Sequence, residues 1–324
     1  MKLSLYAARL ILTAGASLTA LAASAAQIGP QPTDSSLLAA SGPFATKSVR
    51  VAAPAGYGSG TVWYPTTAGQ YGVVVVAPGF TESESAIKWW GSRLASHGFV
   101  AVTLGTKSPL DSPDSRARQM MAALKQVIGL TGTSPYKDKV DGSKRAVAGH
   151  SMGGGGALVA ARDNPDLKAA IPMAPWYLTK NFSGIKVPTL IVACERDFIA
   201  PVASHAQKFY SSIKATTPHA LLELAGESHL CPTGTATAAS KAVEGKMAVA
   251  WLKVFMDGDA RYAAFLGTAK PAANISKWLT SGIVVPVPGD TDEGTGGNGG
   301  DGGNTGGDGG TDGQDGLDGQ DGNF

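Results

Sequence analysis

The period of the hydrophobic positions changes repeatedly along the middle of the chain, and each change predicts a new element. Tyr71–Ala77 (YGVVVVA) is a continuous, mostly β-branched run, the pattern of a strand covered on both faces. Ile87–Ser96 then has helical spacing, and Phe99–Leu104 is a second apolar strand. Ser115–Ile128 predicts a helix, Arg145–Gly149 a short strand and Met152–Asn164 another helix. Ala169–Met173, Thr189–Cys194 and His219–Leu224 predict further strands, with helices over Val202–Ser212 and Lys241–Met256. Thr46–Val51 and Gly60–Tyr64 predict an antiparallel pair at the start. This alternation predicts an α/β fold, a mostly parallel sheet with helices on both faces. Ligands of such a sheet belong at the carboxyl ends of its strands. No lid-like insertion is evident between Ala169 and Thr189.

The two ends read differently. Lys2 and Arg9 precede an apolar stretch from Leu10 to Leu21, followed by Ala23-Ser24-Ala25, so residues 1–25 read as a secretory signal peptide. The apolar run is shorter than the ~20 residues a spanning helix needs. Export predicts an extracellular location, with the periplasm as the alternative. An oxidising compartment makes the only two cysteines, Cys194 and Cys231, a candidate disulfide. Residues 286–324 are mostly Gly, Asp, Asn and Thr, too poor in apolar surface to offset ordering entropy, which predicts a disordered tail. That leaves 26–285 as the folded domain. The 27 basic and 25 acidic residues nearly cancel, but nine of the acids lie in the tail. The remainder is therefore basic, which predicts salt-sensitive adsorption to anionic surfaces. The tail lacks the regularly placed apolar residues of calcium-binding repeats.

Gly149-His150-Ser151-Met152-Gly153 matches G-x-S-x-G between a predicted strand and a predicted helix. That context defines a nucleophile elbow, in which a tight turn holds a serine hydroxyl above the sheet at a helix N-terminus. A phosphate-binding loop is the competing reading of the glycines, but no Lys-Ser/Thr pair of the P-loop kind follows. The serine needs a base and the base a carboxylate, in the chain order Ser, acid, His. Asp197 follows the predicted Thr189–Cys194 strand and is preferred over Glu195, which lies nearer the strand end. His205 falls in a predicted helix and His219 opens a strand, whereas His229 lies in a loop after the last predicted strand. His97 reads as a helix-end residue. Ser151, Asp197 and His229 are thus the candidate nucleophile, orienting acid and general base. The backbone N–H groups of Met152 and of Phe80, in the loop after Tyr71–Ala77, are the candidate oxyanion donors.

The run GHSMGGGGALVAARDNPDLKAAIPMAP (Gly149–Pro175), Trp176, RDFIAPV around Asp197, Ser228-His229 and APGFTESESAIKWWGSRLASHGF (Ala77–Phe99) resemble the bacterial cutinase and PET-hydrolase family. So do SGPFATKSVR and GYGSGTVWYP upstream, and the resemblance extends from about Gln27 to Leu266. It implies the α/β-hydrolase fold without a lid, and a substrate groove lined by Phe80, Met152, Trp176 and Ile199. It also implies a Cys194–Cys231 disulfide tying the Asp197 and His229 loops, as in the plastic-degrading branch. His150, His205 and Phe209 follow the ordinary cutinase pattern instead, and bulk at His205 and Phe209 is expected to restrict Trp176. Phe80 stands where a tyrosine is common. Pro232–Gly245 is longer than in ordinary cutinases and reads equally as a surface insertion or as a groove rim.

The implied function is a secreted serine carboxylic-ester hydrolase that cleaves cutin-like and PET-like polyesters through an acyl-enzyme. A small-ester or lipid esterase of the same fold is the alternative within enzymes. A secreted polymer-binding protein with an inactive hydrolase domain is the alternative outside them. The expected partner is a polymeric or small ester rather than nucleic acid or a membrane. The chain is expected to act as a monomer, with no metal and no cofactor.

Overall fold

A computed structural model describes residues 27–130, 134–267 and 274–283. The expected signal segment and tail lie outside these residues. In chain order the elements are α1 (Asp34–Leu38), β1 (Thr46–Arg50), β2 (Ser59–Pro65), β3 (Tyr71–Ala77), α2 (Trp89–Ala95), β4 (Val100–Gly105), α3 (Pro113–Gly129), β5 (Val140–His150), α4 (Met152–Asp163), β6 (Ala169–Met173), β7 (Thr189–Cys194), α5 (Ala206–Ser212), β8 (His219–Leu224), α6 (Ala238–Leu252) and β9 (Ile275–Ser281). The strands form one sheet in the order β1-β2-β4-β3-β5-β6-β7-β8-β9. From β4 to β8 neighbours run parallel, and β1, β2 and β9 add antiparallel edges.

The valine run of β3 shows how sequence builds the two layers. Every residue of β3 is buried, Val73 and Val75 in one core and Val74 and Val76 in the other. Successive strand side chains point to opposite faces, so a strand between two helical layers has no position left for a polar residue. The first core takes Met120, Leu124 and Val127 from α3, Ala157 and Leu158 from α4, and Phe209 from α5. The second takes Leu37 from α1, Trp90 and Leu94 from α2, and Met247 and Trp251 from α6. Helices therefore cover both faces, as the alternation predicts. β6 and β7 are joined through Ala174–Pro188 without a helix.

Several boundaries differ from the sequence reading. The helix expected over Ile87–Ser96 is a 3-10 turn at Glu84–Ile87 followed by α2. β5 begins at Val140 rather than Arg145, because a register shift after Gly72 lets Tyr71 and Gly72 pair with Val140 and Asp141. The helix expected from Val202 begins only at Ala206, after a turn in which Pro201 O accepts the N–H groups of Ser204 and His205. α6 starts three residues before Lys241 because Thr237 caps it by accepting the Ser240 N–H, and it ends in a π turn over Lys253–Asp257. The final predicted strand was β8, but β9 pairs antiparallel to it and closes that edge.

Candidate active site

Parallel strands point their carboxyl ends to one side, and the loops there carry the residues singled out by sequence. Ser151 forms the turn between β5 and α4 at φ 55° and ψ −117°, a conformation costly for a residue with a Cβ. Its neighbours must be small. A methyl group at Gly149 would lie 2.4 Å from Gly153 O, and one at Gly153 would lie 2.5 Å from both Ala77 O and Pro78 O. The Ser151 N–H donates to Met173 O at 2.9 Å, and Ser151 O accepts the N–H groups of Gly155 and Trp176. The strain is thus held by β6 on one side and α4 on the other.

His229 Nε2 lies 2.9 Å from Ser151 Oγ, and His229 Nδ1 lies 2.6 Å from Asp197 Oδ2. Asp197 Oδ1 accepts the N–H groups of Ile199 at 2.9 Å and Ala200 at 2.7 Å. Burial alone would raise the Asp197 carboxyl. The hydrogen bond from His229 and those from the Ala200 and Ile199 amides outweigh it and hold Asp197 below the usual carboxylate range. An ionised Asp197 accepts from Nδ1–H, which leaves Nε2 free to take the serine proton. All three residues are buried on loops after β5, β7 and β8.

The rival residues are accounted for by other contacts. Glu195 Oε2 accepts the Gly226 N–H at 2.6 Å and fastens the turn before His229. His219 Nδ1 donates to Thr217 O, and its ring packs on Tyr210. His97 is buried just after α2, where burial and the charges of Arg93 and Lys253 push it down to about 3. His205 sits at the N-cap of α5 rather than within a helix. Its ring stacks on Trp176 with centroids 6.4 Å apart and meets Phe209 edge-on at 6.1 Å. Of the two bulky residues expected beside Trp176, His205 stacks on it directly and Phe209 packs behind His205.

Met152 opens α4, where the first N–H groups of a helix have no intrahelical acceptor. In the loop after β3 the N–H of Gly79 goes to Glu82 and that of Thr81 to Pro109 O, whereas among the described residues no protein group accepts the Phe80 N–H. Arg116, fully buried, fastens this loop by donating to Pro78 O and Pro109 O. Met152 and Trp176 also line a cleft with Leu110 and Leu178. Ile199 is 62% exposed beside Asp197.

Cys194 and Cys231 are joined, with Cα atoms 6.2 Å apart, so the bridge starts three residues before Asp197 and ends two after His229. Pro232 O accepts from the indole N–H groups of both Trp89 and Trp90, and Gly234 N–H donates to Ala86 O. Pro232 and Gly234 thus dock on α2 and on the 3-10 turn before it, and Ala238–Gly245 forms the first half of α6. Among the described residues no group of three or more His, Cys, Asp or Glu side chains is placed to hold a metal.

One acidic residue escaped the sequence reading. Glu82 reaches Gly79 N–H and His150 Nδ1, immediately behind the serine. The available signal was an acid three residues after Gly79, in a stretch whose alternating Glu and Ser look like solvated surface.

Known proteins resemble this chain over most of its length. A family model described as PET hydrolase-like matches residues 20–280. Over 240 residues the chain is 48% identical to Cutinase 1 of Thermobifida cellulosilytica, covering 74% of this chain and 89% of that protein. A cutinase of Thermobifida fusca (strain YX) is 48% identical over 240 residues, with 74% and 78% covered. The bis(hydroxyethyl) terephthalate hydrolase of Streptomyces coelicolor is 48% identical over 242 residues, with 74% and 76% covered.

Proposed function

Because the chain belongs to the PET hydrolase-like family of α/β-hydrolases, we propose that it is a secreted serine esterase that cleaves polyester chains at Ser151. His229 removes the Ser151 proton as Oγ attacks the ester carbonyl, and Asp197 stabilises the imidazolium that forms. The Met152 and Phe80 N–H groups receive the oxyanion. His229 then returns its proton to the departing alcohol, leaving an acyl-Ser151. Water, activated by the same imidazole, releases the acid and restores the serine.

The observation that carries the polymer reading is the placement of exposed apolar side chains. The described residues include eight large hydrophobics with substantial exposure. Six of them, Phe80, Leu110, Leu178, Phe198, Ile199 and Leu230, stand on the loops that follow β3, β4, β6, β7 and β8. Phe198 is 90% exposed and Leu178 80%. Exposed apolar groups gathered at one end of a sheet mark a contact surface rather than chance. A small ester would fill the Met152–Trp176 cleft alone and leave Phe198 in water; an apolar polymer chain covers the rim. Among the described residues no helix is long and apolar enough to cross a membrane, and the signal-like residues 1–25 and the acidic segment 286–324 flank a monomeric catalytic domain.

The test is twofold. Fluorophosphonate should label the protein at Ser151 and fail on Ser151→Ala; an unlabelled protein would leave only the inactive polymer-binding alternative. Product analysis on cutin, PET and polycaprolactone films then separates polyester from small-ester activity. Turnover of soluble p-nitrophenyl esters with no film hydrolysis would sink the polyester claim and leave an esterase.

A further inference from the structure

Behind the nucleophile lies a second carboxylate–imidazole pair that the reaction above does not use. His150 Nδ1 lies 2.9 Å from Glu82 Oε2 and 3.0 Å from Oε1, and His150 Nε2 lies 2.9 Å from the backbone carbonyl of His229. A carbonyl only accepts, so Nε2 must carry a hydrogen. The other ring nitrogen faces a carboxyl group that already accepts the Gly79 N–H at 2.6 Å. Burial would raise Glu82, but the His150 contact, the Gly79 amide and the nearby His229 hold it below the usual carboxylate range. A carboxylate also only accepts, so an ionised Glu82 calls for a hydrogen on Nδ1 as well. The His150 side chain is 2% exposed and that of Glu82 is 16%.

The chain of contacts joins the oxyanion loop, the residue before the nucleophile and the base. Gly79 adjoins Phe80, His150 adjoins Ser151, and the carbonyl at the far end belongs to His229 itself. The loop lies close: a methyl group at Gly79 would come within 3.0 Å of Ser151 Cβ. The three loops leave the ends of β3, β5 and β8, and β8 is three strands from β5 in the sheet. We propose that Glu82 and His150 form an ion pair whose bonds to Gly79 and His229 hold the oxyanion loop and the base in register with Ser151. The inference rests on the triad and oxyanion roles proposed above. Glu82 and His150 are positioning residues, since neither reaches the reacting atoms. The charged or titratable groups facing the pair are the Arg116 guanidinium, from α3 beneath the oxyanion loop, and the His229 ring, whose centroid is 4.8 Å from that of His150.

Glutamine at 82 can accept from Gly79 N–H and donate to a neutral His150, so it keeps the bridge and removes the charge. Alanine removes both. Active sites are first counted by fluorophosphonate labelling, and kcat and KM for p-nitrophenyl butyrate are then measured per labelled site. Glu82→Ala should lower kcat by about tenfold or more with KM little changed, because a misplaced donor loses transition-state rather than ground-state contacts. Glu82→Gln should regain most of that loss. In parallel, side-chain 15N shifts of His150 at pH 7 should show two protonated nitrogens in the wild type and one in Glu82→Gln. A per-site kcat in Glu82→Ala within twofold of wild type would overturn the positioning role, and a singly protonated His150 in the wild type would overturn the ion pair. If Glu82→Ala does not fold, the 15N result still decides. A wild-type protein that takes no label refutes the esterase reading and leaves the His150 readout standing.

Discussion

Two carboxylate–imidazole pairs flank Ser151, and what separates them is the group on the far imidazole nitrogen. Asp197–His229 and Glu82–His150 each bring a carboxylate oxygen to within 2.9 Å of Nδ1. In the first pair Nε2 faces the Ser151 hydroxyl, and in the second it faces the His229 carbonyl. A hydroxyl can give up a proton, so the first ring can act as a base. A carbonyl has none to give, so the second ring is locked as a donor. Carboxylate and imidazole alone therefore do not define a catalytic dyad. The group on the far nitrogen decides whether the pair moves a proton or holds a backbone in place.

The largest expected effect breaks the first pair. Ser151→Ala should abolish p-nitrophenyl ester turnover, and Asp197→Asn should reduce kcat by roughly 10⁴-fold, since an amide at Asp197 favours the wrong imidazole tautomer. Residual turnover above a few per cent in either variant would remove that residue from its role. Stability gives an independent reading of Asp197. Its folded value is held below the ordinary one, so its contribution is complete above about pH 4 and is lost as pH falls through the folded value. Urea unfolding should therefore show a larger deficit for Asp197→Asn at pH 7 than at pH 3. Equal deficits would mean that the carboxylate is not favoured by the fold.

The disulfide comes next. Closing a loop of 37 residues removes about 4 kcal/mol of unfolded-state entropy in the simple chain model. Replacing Cys194 and Cys231 together by serine should lower Tm by about 10 °C. Turnover at 25 °C should fall by much less, because Asp197 is also held by the Ile199 and Ala200 amides and His229 by His150. A collapse of kcat in a folded double variant would show that the bridge, not the hydrogen bonds, places the two loops.

The elements most visible in the sequence were those buried on both sides. β3, β4, β7 and β8 are mostly apolar runs, and their limits fell within a residue or two of the structure. Edges were harder. β9 reads ISKWLTS, where Ser276, Lys277, Thr280 and Ser281 leave no apolar run, and its pairing depends on β8 far upstream. The first half of β5 contains Asp141-Gly142-Ser143, a turn by composition that a bulge beside β3 holds extended. In the site, chain order and loop position brought Ser151, Asp197 and His229 together without the fold. Glu82 could not be found that way, because its partner is 68 residues distant and only the folded loops set them side by side.

A smaller effect is expected where aromatic packing limits the groove. His205 stacks on Trp176, while Phe209 is fully buried against Phe182. The two positions therefore differ in what replacement removes. His205→Ser takes away a partly exposed ring and should raise film hydrolysis of an aromatic polyester a few-fold by freeing Trp176. Adding Phe209→Ile should bring a destabilisation of about 1–3 kcal/mol from lost packing. Unchanged or lower film activity in a folded His205→Ser protein would count against restriction of Trp176 by this ring.

The least effect on catalysis is expected at a buried carboxyl that has no imidazole. Glu244 on α6 is fully buried, and among the described residues neither of its oxygens has a hydrogen-bond partner. Burial, with the nearby charge of Glu227, raises it well above the ordinary glutamate value. The sign is opposite to that of Asp197. As pH rises past the unfolded value of about 4.3, the unfolded chain ionises first and the folded state loses stability until the raised folded value is passed. Glu244→Gln removes this loss, so its stability relative to wild type should increase as pH rises above about 4 while turnover stays unchanged. Parallel pH profiles for the two proteins would show that Glu244 is ionised in the fold and satisfied. The contrast with Asp197 and Glu82 would then rest on hydration rather than on the partner each carboxyl is given.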